Sequence, residues 1–321
     1  MDKKVKGNLP SVSIIIPTYN EEEFIERCLE GLTKQNYPKN RYEIIVVDNI
    51  STDKTISLIR KFSGVKLLKN PIKNAEISKK IGLKESKGEL IYFGDADVII
   101  EDKDWLKKMT LPFIKEKNIF ASECKWGVAK DFTIINKYCA LLGIADPLAR
   151  MLSKRKPYIS LNKPEYFLNT YKKNQNPVLY CVIWKKKSII LANKDYKDFN
   201  EGRSPMILIA KGYDEVAYIK YTEAYHYYSD SLNDFINKRK KIAKNQLRRK
   251  NREGKTWIDK SGNLKVYLSG IYCFSIILPF FESIKNIIRD KDYSWIVHPI
   301  ACFVTAFIYG SYFVKDKVIK K

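Results

Sequence analysis

Four short apolar runs, separated by stretches with helical period, restrict this chain to a small set of folds. The runs occupy 12–16, 43–47, 65–68 and 89–93. After the first, Phe24, Ile25, Cys28, Leu29 and Leu32 recur at helical spacing. After the second, Ser51 and Asp53 are suited to cap a helix over 51–62. A third helical stretch, 75–86, stops before Gly88. Strands apolar along their whole length, alternating with helices, form a parallel sheet covered on both faces. Right-handed crossovers then bring the strand ends at 18–20, 48–49 and 95–97 to one rim. The expected class is α/β, a Rossmann-like mixed, mostly parallel sheet.

The fourth run ends in Gly94-Asp95-Ala96-Asp97. Two carboxylates one residue apart can hold a divalent cation, and through it a diphosphate. The pattern recurs at Asp102/Asp104 and Asp290/Asp292, so context decides between the three. Asp102/Asp104 open an amphipathic stretch and read as helix-capping acids. Asp290/Asp292 lie in a polar loop between apolar segments. Only Asp95/Asp97 follow a strand, where open parallel sheets bind ligands.

The rest of the chain is less regular. Strands are expected at 119–124, 178–183 and 216–221, and a helix over 134–152 with a break at Asp146-Pro147. The polar stretch 154–176 reads as loop or short helices, and 232–252 as a basic helix. The net charge is +23, a field that attracts nucleic acid, anionic lipid or phosphorylated substrates. Ten Lys or Arg against one acid, Glu253, fall within 238–255, a local +9. That segment holds no aromatic residue, which argues against a nucleic-acid interface. The six cysteines show no C-x-x-C spacing and read as reduced core residues without zinc. No apolar segment precedes Pro10, so no cleavable signal peptide is expected.

Two apolar runs follow, 266–284 and 295–314, each near the ~20 residues a membrane helix needs. Basic residues flank the pair, and Tyr267, Tyr272, Tyr293, Trp295 and Tyr312 sit near the ends. A transmembrane hairpin with both ends and the N-terminal domain cytosolic satisfies the positive-inside rule. The alternative is a pair of buried helices in a soluble bundle, which Pro279 and Glu282 favour. The expected domains are therefore 1–230, a basic juxtamembrane segment 231–265, and a multi-pass anchor 266–321 in the cytoplasmic membrane.

The segments SVSIIIPTYNEE (11–22), EIIVVDNISTDKT (43–55), NAEISKKIGLKESKGELIYFGDAD (74–97) and a His at 226 together resemble a family 2 glycosyltransferase with the GT-A fold, over about residues 10–230. The resemblance implies transfer of a sugar from a nucleotide-sugar, UDP- or GDP-linked, usually with inversion and with Mg²⁺ or Mn²⁺. It places Pro17, Thr18, Tyr19, Asn20, Asp48, Lys79, Lys80, Asp95 and Ala96 around the donor. Asp48 would recognise the base, though a turn acid capping its own loop is an alternative. Lys79 and Lys80 stand where the family often has an Arg near the diphosphate, and a solvated helix face is the other reading. Asp97 would ligate the metal, with Asp95 beside it and near the ribose, and His226 would complete the site. The family's base lies on a Glu-Asp pair about a dozen residues before a Gly-Tyr. Counting back from Gly212-Tyr213 gives Asn200-Glu201, so Glu201 takes the Asp position, and Asp198 is the fallback.

A basic segment beside apolar runs points to anionic lipids and a lipid-linked saccharide acceptor. A polyprenyl-phosphate acceptor is second, because Val98-Ile-Ile-Glu-Asp102 replaces the motif of that branch. The Gln-x-x-Arg-Trp motif of processive polymerases is absent from the sequence. The departure at Asn200-Glu201 also keeps an inactive scaffold of the same fold in view.

Overall fold

A computed structural model describes residues 9–143, 145–152, 156–173, 175, 177–194, 199–253 and 263–319. The chain divides into two compact units, 1–126 with 154–226, and 127–153 with 227–321. The helical stretch 127–153 therefore belongs with the C-terminal residues, unlike the contiguous 1–230 domain expected from the sequence.

The first unit opens with β1 (Val12–Thr18), α1 (Ile25–Thr33), β2 (Tyr42–Asp48), α2 (Thr55–Ile59), β3 (Val65–Lys69), α3 (Ala75–Glu85) and β4 (Leu90–Phe93). It continues through β5 (Val98–Ile99), α4 (Trp105–Lys115), β6 (Ala121–Trp126), β7 (Ile159–Asn162), β8 (Tyr166–Thr170), β9 (Val182–Lys185), α7 (Lys186–Asn193), α8 (Ser204–Ala210) and β10 (Glu215–His226). The strand order is β3-β2-β1-β4-β9-β6-β10-β8-β7, with β5 paired to β10. β1 through β4 pair in parallel. Beyond β4 the sheet is mixed: β9 is antiparallel to both neighbours, and β10 is parallel to β6 but antiparallel to β8. All seven residues of β1 are buried, as a central strand covered on both faces requires. Ile15, Ile45, Val47, Ile91 and Trp184 lie in one apolar cluster with Leu208 and Ile209 of α8.

Several expectations needed correction. The 154–176 stretch contains the β7–β8 hairpin at the sheet edge, turned where the Lys163 amide donates to the Tyr166 carbonyl at 3.0 Å. Its Lys and Pro content hid the alternate burial of Tyr166 and Leu168. The helix expected over 51–62 is reduced to α2: Ser51 is tied to Asp48 and Asn20, while Asp53 accepts from the Thr55 amide at the start of α2 and from the Glu22 amide. β9 starts at Val182 rather than at 178, while β10 extends to 226 and carries His226 within the strand.

The second unit comprises α5 (Ile134–Leu142), α6 (Pro147–Leu152), α9 (Leu232–Glu253), α10 (Asn263–Ser275), α11 (Ile277–Asp290) and α12 (His298–Ile319). Gly143 ends α5 in the left-handed region, φ 73°. Asp146 and Arg239 form an ion pair of 2.8 Å, with side chains 8% and 1% exposed. Tyr309 of α12 donates a hydrogen bond to the same Asp146 carboxylate, and the Ala149 amide donates to its other oxygen at 2.9 Å. The single helix expected over 266–284 is instead α10 and α11, bent by 79°. Pro279 explains the break, since it lacks the N–H that would bond back to Ser275 and its ring crowds that carbonyl. The Ser275 hydroxyl accepts from the Leu278 amide at 3.2 Å and so caps α11. Among the described residues, 293–312 is one helical segment long and apolar enough to span a membrane, and there are two if the bent pair counts as one. All six cysteines are buried and free.

Gly31 sets how closely α1 approaches the strand that follows the acidic turn. A Cβ there would lie 2.2 Å from the Ile100 carbonyl oxygen, a backbone atom with no freedom to rotate away. Gly31→Ala is expected to lower unfolding free energy by about 1–3 kcal/mol, measured by urea denaturation of the full chain.

Candidate functional site

The strand order reverses between β1 and β4. β2 and β3 lie on one side of β1, and everything from β4 onward lies on the other. Such a switch point leaves a crevice at the carboxyl ends of the strands. Here the crevice is widened by chain length. β4 ends opposite Ile15, and the Gly94 amide makes the last bond to it, 3.0 Å to the Ile15 carbonyl. Pro17 comes two residues later, where β4 no longer needs a donor, so a proline in a central strand costs no ladder bond.

On one side of the crevice, the 17–20 turn is tied to the loop after β2. The Asn20 amide donates to Ser51 Oγ at 2.9 Å, and Asn20 Oδ1 accepts from the Thr52 amide at 2.9 Å. The Glu21 amide donates to Thr55 Oγ1 at 2.8 Å. Asn20 has φ 53°, a conformation Asn tolerates better than most residues. Thr18 is buried and Tyr19 is 45% exposed. The Lys73 ammonium lies 5.2 Å from the Tyr19 ring centre. Asp48 is buried, and its two oxygens accept from the Ser51 amide at 3.0 Å and the Ser51 hydroxyl at 2.5 Å. Its carboxylate is thus tied to Ser51 of the same loop.

On the other side, the Val98 amide bonds to the Asp95 carbonyl at 3.1 Å and closes the acidic turn. Asp95 is exposed, Ala96 buried and Asp97 half-buried. β5 then pairs antiparallel with the end of β10, His226 opposite Val98. That register brings residues 129 positions apart in the chain together: His226 Nε2 stands 3.4 Å from Asp97 Oδ1. Asp95, Asp97 and His226 each offer a ligand atom within 4.8 Å of the others. The Trp126 ring lies 5.0 Å from the imidazole, centre to centre. Burial, then the carboxylates of Asp97 and Asp95, push the Cys28 thiol well above its ordinary pKa, so the turn projects a negative field. Two carboxylates and an imidazole suit Mn²⁺, which accepts a nitrogen ligand. Mg²⁺ prefers oxygen throughout. The donor set thus fits a divalent ion with coordination positions left for phosphate oxygens.

A second cluster involves α3. Lys79 Nζ contacts Glu201 Oε2 at 2.7 Å, both side chains being largely covered, 12% and 17% exposed. Glu201 Oε1 accepts from the Trp184 indole at 3.0 Å, and the Glu201 amide donates to Glu76 at 3.4 Å. Burial alone would lower the Lys79 pKa, but the carboxylates of Glu201, Asp95 and Glu76 outweigh it and hold the ammonium well above its usual range. Asp95 thus acts on Lys79 as well as on Cys28. Lys80 is exposed, and Asp198 lies outside the described residues.

The other two Asp-x-Asp pairs are engaged elsewhere. Asp102 accepts from Lys108, Thr222 and the Asp104 amide. Asp290 accepts from the Trp295 indole, and Asp292 accepts from the Ser294 amide. Trp126, Trp184 and Glu76 were not singled out in the sequence. The available signal was a Trp at or near the end of a strand beside a polar cluster.

A family model described as "Glycosyl transferase family 2" matches residues 13–176. Glycosyltransferase AglE of Haloferax volcanii is 38% identical over 107 residues, 32% of this chain and 35% of the relative. The dolichyl N-acetyl-alpha-D-glucosaminyl phosphate 3-beta-D-2,3-diacetamido-2,3-dideoxy-beta-D-glucuronosyltransferase of Methanococcus voltae is 37% identical over 102 residues, 30% of this chain and 32% of that one. The match thus spans about a third of the length of these curated relatives. In three dimensions, the chain is similar to the mannosyltransferase PcManGT from Pyrobaculum calidifontis, solved in complex with GDP-Man and Mn²⁺. The TM-score is 0.59 at 14% identity, covering 98% of this chain and 89% of that one, which shows a shared fold.

Mn²⁺ titrated into the purified chain is expected to bind at one site. Asp97→Ala should weaken it by more than the roughly 10–100-fold that losing an outer-shell partner costs. Calorimetry or the paramagnetic resonance of free Mn²⁺ measures this, and unchanged binding would remove the acidic turn as the metal site.

Proposed function

The chain belongs to glycosyl transferase family 2, and we propose that it moves a sugar from a nucleotide-sugar to a lipid-linked saccharide acceptor, with inversion. The observation that carries this reading is the convergence of Asp95, Asp97 and His226 at the β1/β4 switch point. The donor is a UDP- or GDP-sugar, its nucleotide lying along the braced 17–20 and 48–55 loops. Mn²⁺ or Mg²⁺ held by Asp97, Asp95 and His226 would neutralise charge building on the departing diphosphate.

The Lys79 ammonium lies in the field of Asp95. A diphosphate brought beside Asp95 competes with Glu201 for the Lys79 ammonium. Glu201 Oε2 is then free to take the acceptor proton, while the Trp184 indole keeps Oε1 fixed. The acceptor oxygen forms its bond to the anomeric carbon as the carbon–phosphate oxygen bond opposite it breaks. The proton goes to Glu201 and the electron pair to the nucleoside diphosphate.

The lipid-linked acceptor is supported by the name of the Methanococcus voltae relative, which specifies a dolichyl phosphate glycan. The basic run at 238–255 favours the cytosolic side of the cytoplasmic membrane. The test is a panel of UDP- and GDP-sugars with Mn²⁺, read as nucleotide release from membranes carrying the chain. One donor should turn over, and chelation should stop it. Glu201→Gln should lower kcat by ~10²–10⁴-fold with little change in donor KM. Lys79→Met should raise donor KM. Trp184→Phe should lower kcat while leaving donor KM in place, as expected of a positioning residue. Full turnover in Glu201→Gln would move the base elsewhere.

A further inference from the structure

The second unit leaves an unusually apolar face uncovered. On α10, Tyr267, Ile271 and Phe274 are 48–67% exposed and recur at helical spacing. On α11, Ile277, Phe281 and Ile288 are 63–72% exposed on one side, while Pro279, Ser283 and Asn286 are buried on the other. Phe303 and Phe307 continue the face onto α12, joined to α10 where the Phe274 and Phe303 rings meet edge to face at 5.8 Å.

We propose that this face enters one leaflet of an anionic bilayer and lies in its interface, so that the chain is held on the membrane without crossing it. Length is the first argument. α10 has 13 residues and α11 has 14, so each is about 20 Å long at 1.5 Å per residue. A hydrocarbon core is about 30 Å thick, and a 79° bend prevents the two from acting as one rod. α12 is long enough, but its other face is already used. Cys302, Ala306 and Tyr309 pack with Leu148 and Leu152 of α6 and with Ala243 of α9. α9 exposes Lys240, Lys241, Lys244 and Arg248, charges that lipid tails do not accommodate beside a spanning helix. A helix pair with one apolar face, one protein-covered face and nearby cations is the arrangement of an interfacial anchor.

Charge specifies the surface. Lys285, Arg289 and Lys291 stand exposed on and just after α11, and the whole chain carries +23. Cations beside a half-immersed apolar face favour phosphatidylglycerol-like headgroups over neutral ones. This attachment is independent of the sugar-transfer reading, because binding is scored without any substrate.

The purified full chain is mixed with sealed vesicles of phosphatidylglycerol and phosphatidylcholine, or of phosphatidylcholine alone, and floated. Flotation should be strong with the anionic vesicles, weaker with neutral ones, and reduced at least tenfold by Ile277→Glu with Phe281→Glu. Both side chains are more than 60% exposed, so circular dichroism and melting should match the parent chain. Single cysteines at Lys34→Cys and Tyr293→Cys, expressed in cells, should react with an impermeant maleimide from the same side of the membrane. Reaction from opposite sides would establish a crossing and overturn the proposal. So would undiminished flotation of the double variant, or self-association through this face with no vesicle binding.

Discussion

β1 outruns β4 by three residues at the centre of the sheet, and the site depends on that mismatch. Two neighbouring strands that ended together would close the crevice with backbone hydrogen bonds. Instead the last bond is Gly94 to Ile15, and Pro17 follows with no donor to satisfy. The chain leaves β1 toward the loop after β2 and leaves β4 into the acidic turn. The two departures diverge because the strand order reverses between them. The crevice is thus a consequence of topology, and the side chains around it specify what enters.

Each half of the chemistry joins residues far apart in sequence. β5 is two residues long and would not persist alone, yet pairing with β10 holds His226 against Asp97. The Lys79–Glu201 pair, with Trp184 on the second carboxylate oxygen, links α3 to the segment before α8. A half-exposed ion pair contributes little, but this one is largely covered and bonded on both oxygens. Asp95 lies in the field of both clusters, so charge arriving at one is felt at the other.

In the second unit, the polar groups explain why an apolar segment folds as it does. The Asp146–Arg239 pair is enclosed by Tyr228 and Tyr309. Removing one partner of a pair so enclosed costs about 3–5 kcal/mol. His298 meets Tyr138 at 2.8 Å. These contacts turn one side of α12 toward protein. Pro279 then splits the preceding apolar run, and the resulting short helices lay their remaining apolar face outward.

The sequence by itself determined the parallel half of the sheet, the acidic turn at the end of its fourth strand, and the family. Those features are local: burial on both faces imposes continuous apolar runs, and a turn after a strand has its own residue chemistry. The tertiary structure alone decided which groups face one another. Asp48 was legible as a rim acid, but only the fold shows its carboxylate bonded to Ser51. The β7–β8 hairpin was masked by Lys and Pro, since a short edge strand needs only one buried face. The role of Trp184 was likewise invisible, because partner choice depends on register, which composition does not record. The runs at 266–284 and 295–314 read alike as hydropathy. Their different fates rest on one missing N–H at Pro279 and on a charged helix packed against α12.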